Sequence, residues 1–274
     1  MKIVITLSGN SERFTSKGYP IKSLIKIEDK RIIDYVLDMF PNVDDKDFLF
    51  IVRREDLSTH GIDRAILQSK VSKIFAIDKN NLGPVYSISN AFDSIPDDEE
   101  IVVSYCDFTQ KWNFEEFIKF CRESNSDGCL VTHVGFVPHK LYNKSFAFLT
   151  VNEQDNTVSY VHEKKPIDQV NPNEPASNGI YYFKSGALLK KYFKRLMDEK
   201  VCVNGEYYVT VPYNLMIKDG LKVTHYVANK YACLGIPTDV ECYKSWKYII
   251  ENNNVDEKSV VEVYKFWKDY FRST

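Results

Sequence analysis

Three residues with the chemistry to hold a triphosphate fall in one polar stretch, Leu7-Ser8-Gly9-Asn10-Ser11-Glu12-Arg13-Phe14, continuing to Gly18-Tyr19-Pro20-Ile21-Lys22-Ser23-Leu24. Gly9 lets another group approach the backbone, and N–H groups exposed around it suit phosphate oxygens. Arg13 offers planar, bidentate donors, and Lys22 a compact point charge. The residues expected to line the nucleotide are therefore Leu7, Ser8, Gly9, Asn10 and Ser11. A second anchor is Asp107, which directly follows the apolar run Ile101 to Cys106. A carboxylate at a strand end suits Mg²⁺, which takes few protein acids and completes its shell with phosphate oxygens and water.

These residues need a scaffold that brings distant loops to one edge, and the hydrophobic pattern supplies one. Ile3 to Leu7, Phe48 to Val52, Lys73 to Ile77, Ile101 to Tyr105 and Cys129 to Val134 read as short strands. The run Ile3 to Leu7 is that of a strand buried on both faces. Between them, Arg31 to Phe40, Pro84 to about Phe92 and Asn113 to Cys121 have helical spacing or helix starts. This βαβ alternation predicts an α/β fold with a central, mixed but mostly parallel sheet flanked by helices. In such sheets ligands bind at the carboxyl ends of the strands, which is where both anchors fall.

From about residue 145 the pattern changes. Ala147 to Val151 and Thr157 to His162 read as an antiparallel pair, and Gly179 to Phe183 as a further strand. Helices follow near 185–199 and 206–218, then a strand near 221–227. The tail, Asp256 to Phe271, sets Val260, Val263, Tyr264, Trp267 and Phe271 on one helical face, to pack on the core or on a second copy of the chain. The expected division is a domain over residues 1–245 and a helical extension over 246–274.

Bulk properties exclude several classes. The chain has 274 residues and a formal net charge of -2, with no basic surplus to suggest nucleic-acid binding. No apolar run is long enough for a bilayer and no secretory signal opens the chain, so a cytoplasmic, non-membrane protein is expected. The six cysteines form no C-x-x-C pair, and read as reduced, mostly buried thiols.

Taken in order, these segments resemble the sugar-phosphate nucleotidylyltransferases, or nucleotide-sugar pyrophosphorylases. The family's opening signature is a strand, then (Ala/Ser)-Gly-x-Gly-(Thr/Ser)-Arg-(Leu/Phe), then Pro-Lys-(Pro/Ser)-Leu. Gly9, Arg13, Phe14, Lys22, Ser23 and Leu24 fit it. Ser11 stands where a second glycine is usual, Glu12 where a small hydroxyl is usual, and Pro20 comes one place early. Asp107 matches the family's metal-binding aspartate. The turn at Gly83, with Asn81 and Leu82 before it, matches the segment that lies against the nucleobase.

Glu163-Lys164-Lys165-Pro166 resembles the family's Glu-Lys-Pro motif, whose lysine binds the acceptor phosphate and whose glutamate binds its hydroxyls. Counted from Val158 and Val161, Lys164 falls in register and Lys165 is the insertion. Asn178-Gly179-Ile180-Tyr181 and Asn204-Gly205-Glu206-Tyr207-Tyr208 match two further sugar-side segments, pointing to Asn178, Gly179 and Glu206 as acceptor contacts. Cys233 occupies the place of the family's second metal-binding aspartate, which leaves Asp107 as the matched ligand.

The resemblance, over about residues 1 to 245, implies a Rossmann-like nucleotidyltransferase fold related to the GT-A fold. It implies transfer of a nucleotidyl group from an NTP to a phosphorylated acceptor, with Mg²⁺ and release of pyrophosphate. Arg13, Lys22, Asp107 and Lys164 are the expected catalytic residues, and Lys165 shares the acceptor side with Glu163. The spellings Asn-Gly-Glu-Tyr-Tyr and Glu-Lys-Lys-Pro resemble branches linked to capsule or surface-glycan synthesis. Phe146-Ala147-Phe148, where a Tyr-Gly pair is common, leaves choline phosphate or a polyol phosphate open as acceptor. Two other functions share part of the pattern. One is a glycosyltransferase of the related fold, which would want paired acids where Asp107 stands alone. The other is a non-catalytic homologue that binds nucleotide sugars, favoured by Ser11, Glu12 and Cys233.

Overall fold

The computed structural model describes residues 1–62, 66, 73–141, 145–166, 173–252, 256, 258 and 260–262. Its strands, in chain order, are β1 (Lys2–Leu7), β2 (Lys26–Ile27), β3 (Lys30–Arg31), β4 (Phe48–Arg53), β5 (Lys73–Ile77), β6 (Ile101–Tyr105) and β7 (Phe108–Gln110). They continue with β8 (Gly128–His133), β9 (Ser145–Asn152), β10 (Thr157–Pro166), β11 (Ala176–Phe183), β12 (Val223–Val227) and β13 (Tyr231–Cys233). One nine-stranded sheet runs in the order β5-β4-β1-β6-β11-β8-β12-β10-β9.

The half that carries the first loop is parallel. β1 pairs in parallel with β4 and with β6, and β4 with β5. Beyond β6 the sheet is more antiparallel than the βαβ pattern predicts: β11 runs against both β6 and β8, and β10 against β12 and β9. Among the described residues, β8 and β12 are the parallel pair there. The short link between β9 and β10 allows a hairpin return, whereas a parallel pair needs a crossover.

Alternation along β1 builds two cores from one strand. Ile3, Ile5 and Leu7 join the cluster with Phe14, Phe48, Phe50 and Val102, while Val4 joins Leu49, Ile51 and Val103 on the other face. Helices cover both faces, so β1 is buried on each side and, Lys2 and Thr6 apart, its sequence is apolar. Full burial of each such aliphatic side chain contributes roughly 1.5–3 kcal/mol. Ile3 pairs with Val102 and Thr6 with Tyr105, so β1 and β6 end side by side. That register brings the loop after Leu7 against Cys106 and Asp107.

Several elements begin or end away from the expected positions. The helix expected at 206–218 is Val211–Lys218, because Gly205 takes φ +81° and Glu206 bridges back to Val203. A helix over Pro237–Asn252, which the pattern did not single out, runs through the expected boundary at 245. Of the tail's apolar face, Val263, Tyr264, Trp267 and Phe271 lie outside the described residues. Cys106, Cys121 and Cys129 are buried, Cys233 and Cys242 are half-buried and Cys202 is exposed, all as free thiols. Among the described residues no helix is long and apolar enough to cross a membrane.

Candidate active site

A cleft of about 290 Å³ opens at the carboxyl ends of β1 and β6. Its floor is Thr6, Ser8, Gly9 and Asn10 from the first loop together with Tyr105, Cys106 and Asp107. Asn80, Asn81, Gly83, Pro84 and Ser87 form one stretch of wall, and Glu206 and Tyr208 a second that adjoins it; Lys22 reaches in from the chain beyond the first loop.

The first loop is held by its own polar side chains. Asn10 Oδ1 accepts the Glu12 N–H at 3.0 Å, turning the chain into a short helix, Glu12–Thr15. Ser11 is buried, and its hydroxyl accepts the Lys22 N–H at 3.2 Å. The departure from glycine at Ser11 thus ties the two halves of the loop together. Glu12 is exposed, away from the lining of the cleft. Nothing lies within 4 Å of a Cβ built on Gly9, so its cleft-facing side is open. Leu7 is in the core, with only 5% of its surface exposed, and does not line the cleft.

Lys22 Nζ lies 3.0 Å from Asp107 Oδ2, with the two side chains 13% and 34% exposed. Burial disfavours charge on both, but each is the other's counter-charge. The Lys22 ammonium is held above its ordinary value and the Asp107 carboxyl below its own. Cys106 beside them is pushed up to about 11 by burial, against the pull of Lys22, so it stays a thiol. The Asp107 carbonyl is itself anchored, accepting the Leu234 N–H at 2.7 Å. Arg13 is exposed and has no ion pair among the described residues, yet its charge reaches Tyr208 and opposes the rise of that phenol's pKa.

The two walls are stitched to each other. Tyr207 N–H donates to the Leu82 carbonyl at 2.8 Å, and Val85 N–H to the Tyr207 carbonyl at 3.0 Å. Gly83 adopts φ +90°, and a Cβ there would sit 2.8 Å from Tyr207 N. Only glycine fits, on backbone angle and on space alike.

Lys164 occupies a bulge in β10, between the pairs His162–Phe148 and Lys165–Phe146. It takes φ +58°, a left-handed conformation unusual for lysine. The bulge turns its ammonium over the Tyr208 ring, 4.9 Å from the centroid. Lys165 is committed elsewhere, bonding both Glu174 oxygens at 2.8 and 3.0 Å. Glu163 accepts a hydrogen bond from the Thr210 hydroxyl; burial raises its carboxyl, with that bond and Lys164 opposing. Glu163, Lys164 and Lys165 line a separate hollow with Tyr160, Val203 and Asn214.

Two expected acceptor contacts are structural instead. Asn178 is 2% exposed, its amide N–H₂ donating to Gln110 and to the Ala228 carbonyl and its oxygen meeting His133 Nδ1. Its hydrogen bonds are spent inside the fold. Gly179 takes φ +96°, and a Cβ there would lie 3.0 Å from the Phe108 ring, so it is a packing requirement. Sequence reasoning gave no role to Asn80, Ser87, Tyr105 or Tyr208, which line the cleft. Ser87 follows Gly83 by one helical turn in Pro84–Ser89, a spacing that could have found it.

The nucleotidyl transferase family model matches residues 14–213. This chain belongs to that family. It is 26% identical over 212 residues to the bifunctional protein GlmU of Thermosipho africanus (strain TCF52B), an alignment covering 77% of this chain. The chain spans only 42% of that relative's length. The fold matches a nucleoside-diphosphate-sugar pyrophosphorylase from Vibrio cholerae with a TM-score of 0.71 at 19% identity, over 89% of this chain and 99% of the other. It also matches the inositol-1-phosphate CTP transferase from T. maritima with a TM-score of 0.65 at 15% identity, over 92% and 96%. The mixed sheet is the nucleotidyltransferase fold that the opening motif implied.

Proposed function

We propose that this chain joins an NTP to a phosphorylated small molecule, a sugar phosphate or sugar-like phosphate, giving a nucleotide-activated product and pyrophosphate. The observation that carries this reading is the Lys22–Asp107 pair on the floor of a cleft opened by Gly9 and walled by Gly83. A phosphate-sized opening over Gly9, a cation and a carboxylate meet there, as nucleotidyl transfer requires.

The divalent ion used by this family fits at Asp107. The carboxylate is partly exposed to the cleft, and one carboxylate with phosphate oxygens and water meets the needs of Mg²⁺. Cys233, in the second acid's place, offers a soft sulfur that Mg²⁺ does not take. The ion supplies charge neutralisation at the phosphates when bound.

The remaining work belongs to the chain. The acceptor's phosphate oxygen forms a bond to the α-phosphorus of the NTP as the bond from that phosphorus to the bridging oxygen breaks. The electron pair leaves with pyrophosphate. Arg13, exposed and near enough for its charge to reach Tyr208, holds the leaving phosphates. Lys22 stabilises charge on the α-phosphate, a task for which its raised pKa keeps it protonated. Asn80 and Asn81 face the base, and Glu206 the acceptor's hydroxyls. Lys164, carried on Tyr208, orients the attacking phosphate. That phosphate is already ionised, so no general base is needed. Pyrophosphate release is the test, with four NTPs screened against sugar, polyol and choline phosphates. Pyrophosphate formed only when an acceptor is present supports the reading; nucleotide binding without turnover on any acceptor opposes it.

A further inference from the structure

Next to Asp107, but not among the residues that line its cleft, three side chains of metal-binding type converge from three segments. His139 comes from the 3₁₀ turn Pro138–Leu141, Cys233 from the end of β13, and Asp239 from the first turn of the helix Pro237–Asn252. One donor atom from each lies within 4.8 Å of the other two. His139 and Asp239 are 8% and 2% exposed, and Cys233 is half-buried. A second cleft, of about 430 Å³, is lined by all three and gives an ion a way in. We propose that His139, Cys233 and Asp239 form a binding site for a thiophilic divalent cation of the zinc type, adjoining the one at Asp107 but with its own three ligands.

The donor set selects the ion. Hard cations such as Mg²⁺ and Ca²⁺ take oxygen, whereas one nitrogen, one sulfur and one oxygen suit zinc, with water as fourth ligand. The charges also close: thiolate and carboxylate together neutralise a dication, so no uncompensated charge is buried. The thiol proton leaves to solvent on binding, and the proton that His139 Nδ1 donates to Asp239 Oδ1 gives way as well, leaving a neutral imidazole protonated on Nε2 with Nδ1 free for the ion.

The ligands are already oriented. Asp239 Oδ2 accepts the Gly235 and Ile236 N–H groups, both at 3.0 Å, which turns Oδ1 toward His139 Nδ1 at 2.6 Å. Fixing of a ligand by outer hydrogen bonds is what built metal sites show. Bonds of about 2.0 Å in a tetrahedron separate their ligands by about 3.3 Å. The histidine and aspartate therefore part by well under an ångström to admit the ion. Cys233 Sγ lies 3.8 Å from the Asp107 carbonyl, and its neighbour Leu234 bonds that same oxygen. An ion here ties the 3₁₀ turn and the helix start to the β7–β13 pair that supports Asp107.

The test uses the full chain, stripped with chelator and titrated with Co²⁺ alone, then with Zn²⁺. The expected result is one Co²⁺ per chain with intense tetrahedral bands and a sulfur-to-cobalt charge-transfer band, both removed as Zn²⁺ displaces it. Cys233→Ser should abolish the charge-transfer band and weaken Zn²⁺ binding at least about tenfold. His139→Gln, which leaves the thiol and the Asp239 caps in place, should weaken it likewise. Cys242→Ser, at the same cleft, should change neither. A weak, oxygen-type spectrum, or a thiolate band that survives Cys233→Ser, overturns the proposal. None of these readouts uses turnover, so they stand or fall apart from nucleotidyl transfer.

Discussion

Lys22 and Asp107, separated by 85 positions in the chain, meet through a 3.0 Å ion pair on the floor of the cleft. The β1–β6 register and the Ser11 tie to Lys22 together set that distance. If the pair stabilises the charge that develops on the transferred phosphate, Asp107→Asn and Lys22→Ala should each lower kcat by about 100-fold or more. The double variant should cost far less than the product of the two, since both act on one charge. Steady-state kinetics over the four variants measure this, and full additivity would count against a shared role.

The two cleft glycines should separate stability from binding. Gly83→Ala puts a methyl 2.8 Å from Tyr207 N at a left-handed φ, and should destabilise by about 1–3 kcal/mol. Gly9→Ala meets nothing within 4 Å, so stability should stay within about 0.5 kcal/mol. Gly9→Ala should still raise KM for the NTP, because its open side is where phosphate approaches. Denaturant melts and nucleotide titrations of both variants check this.

Lys164 shows the opposite trade. A non-glycine residue in a left-handed conformation carries roughly 1 kcal/mol of strain, which Lys164→Gly relieves in the native state. Part of that gain is lost to the freer unfolded chain. Lys164→Gly should therefore be neutral to about 1 kcal/mol more stable, while raising KM for the phosphorylated acceptor about tenfold or more. Tyr208→Leu removes the ring beneath the ammonium and should raise the same KM more modestly. Lys165→Ala, whose partner is Glu174, should leave it near wild type.

His133 makes stability depend on pH. Its ring is fully buried, stacked on Tyr231 at 4.9 Å, with Nε2 lacking a hydrogen-bond partner among the described residues and Lys140 adding positive charge nearby. Burial lowers its pKa from 6.5 to about 4. The unfolded chain binds this proton first, so the contribution is complete above pH 6.5 and falls between there and pH 4. The loss approaches about 3 kcal/mol. Urea melts from pH 7.5 to 4.5 should show the decline, and His133→Gln should flatten it.

How much of this was readable beforehand differs from residue to residue. Strands β1, β4 and β6 were legible because burial on both faces writes a nearly unbroken apolar run. The opening loop was legible because glycine and two cations follow such a strand directly. Lys164 was singled out by its motif, but not as a bulge: an irregularity in β10 is invisible until its partner strand is known. Asn178 misled, since a buried amide bonded to His133 and Gln110 is spelled the same way as one bonded to a ligand. Asp239 was missed because its role depends on His139, 100 positions away. The Cys106–Asp107 step and the Glu206–Tyr208 wall lie far apart in sequence, and only the sheet order brings them to one cleft.

The central claim is tested most directly by single-turnover pyrophosphate release from an NTP in Mg²⁺, with and without a phosphorylated acceptor. The account predicts pyrophosphate and a nucleotide-linked acceptor in equal amounts, formed only with acceptor present and lost in Asp107→Asn. Tight nucleotide binding without pyrophosphate from any NTP and acceptor pair, or an undiminished rate in Asp107→Asn, would contradict it.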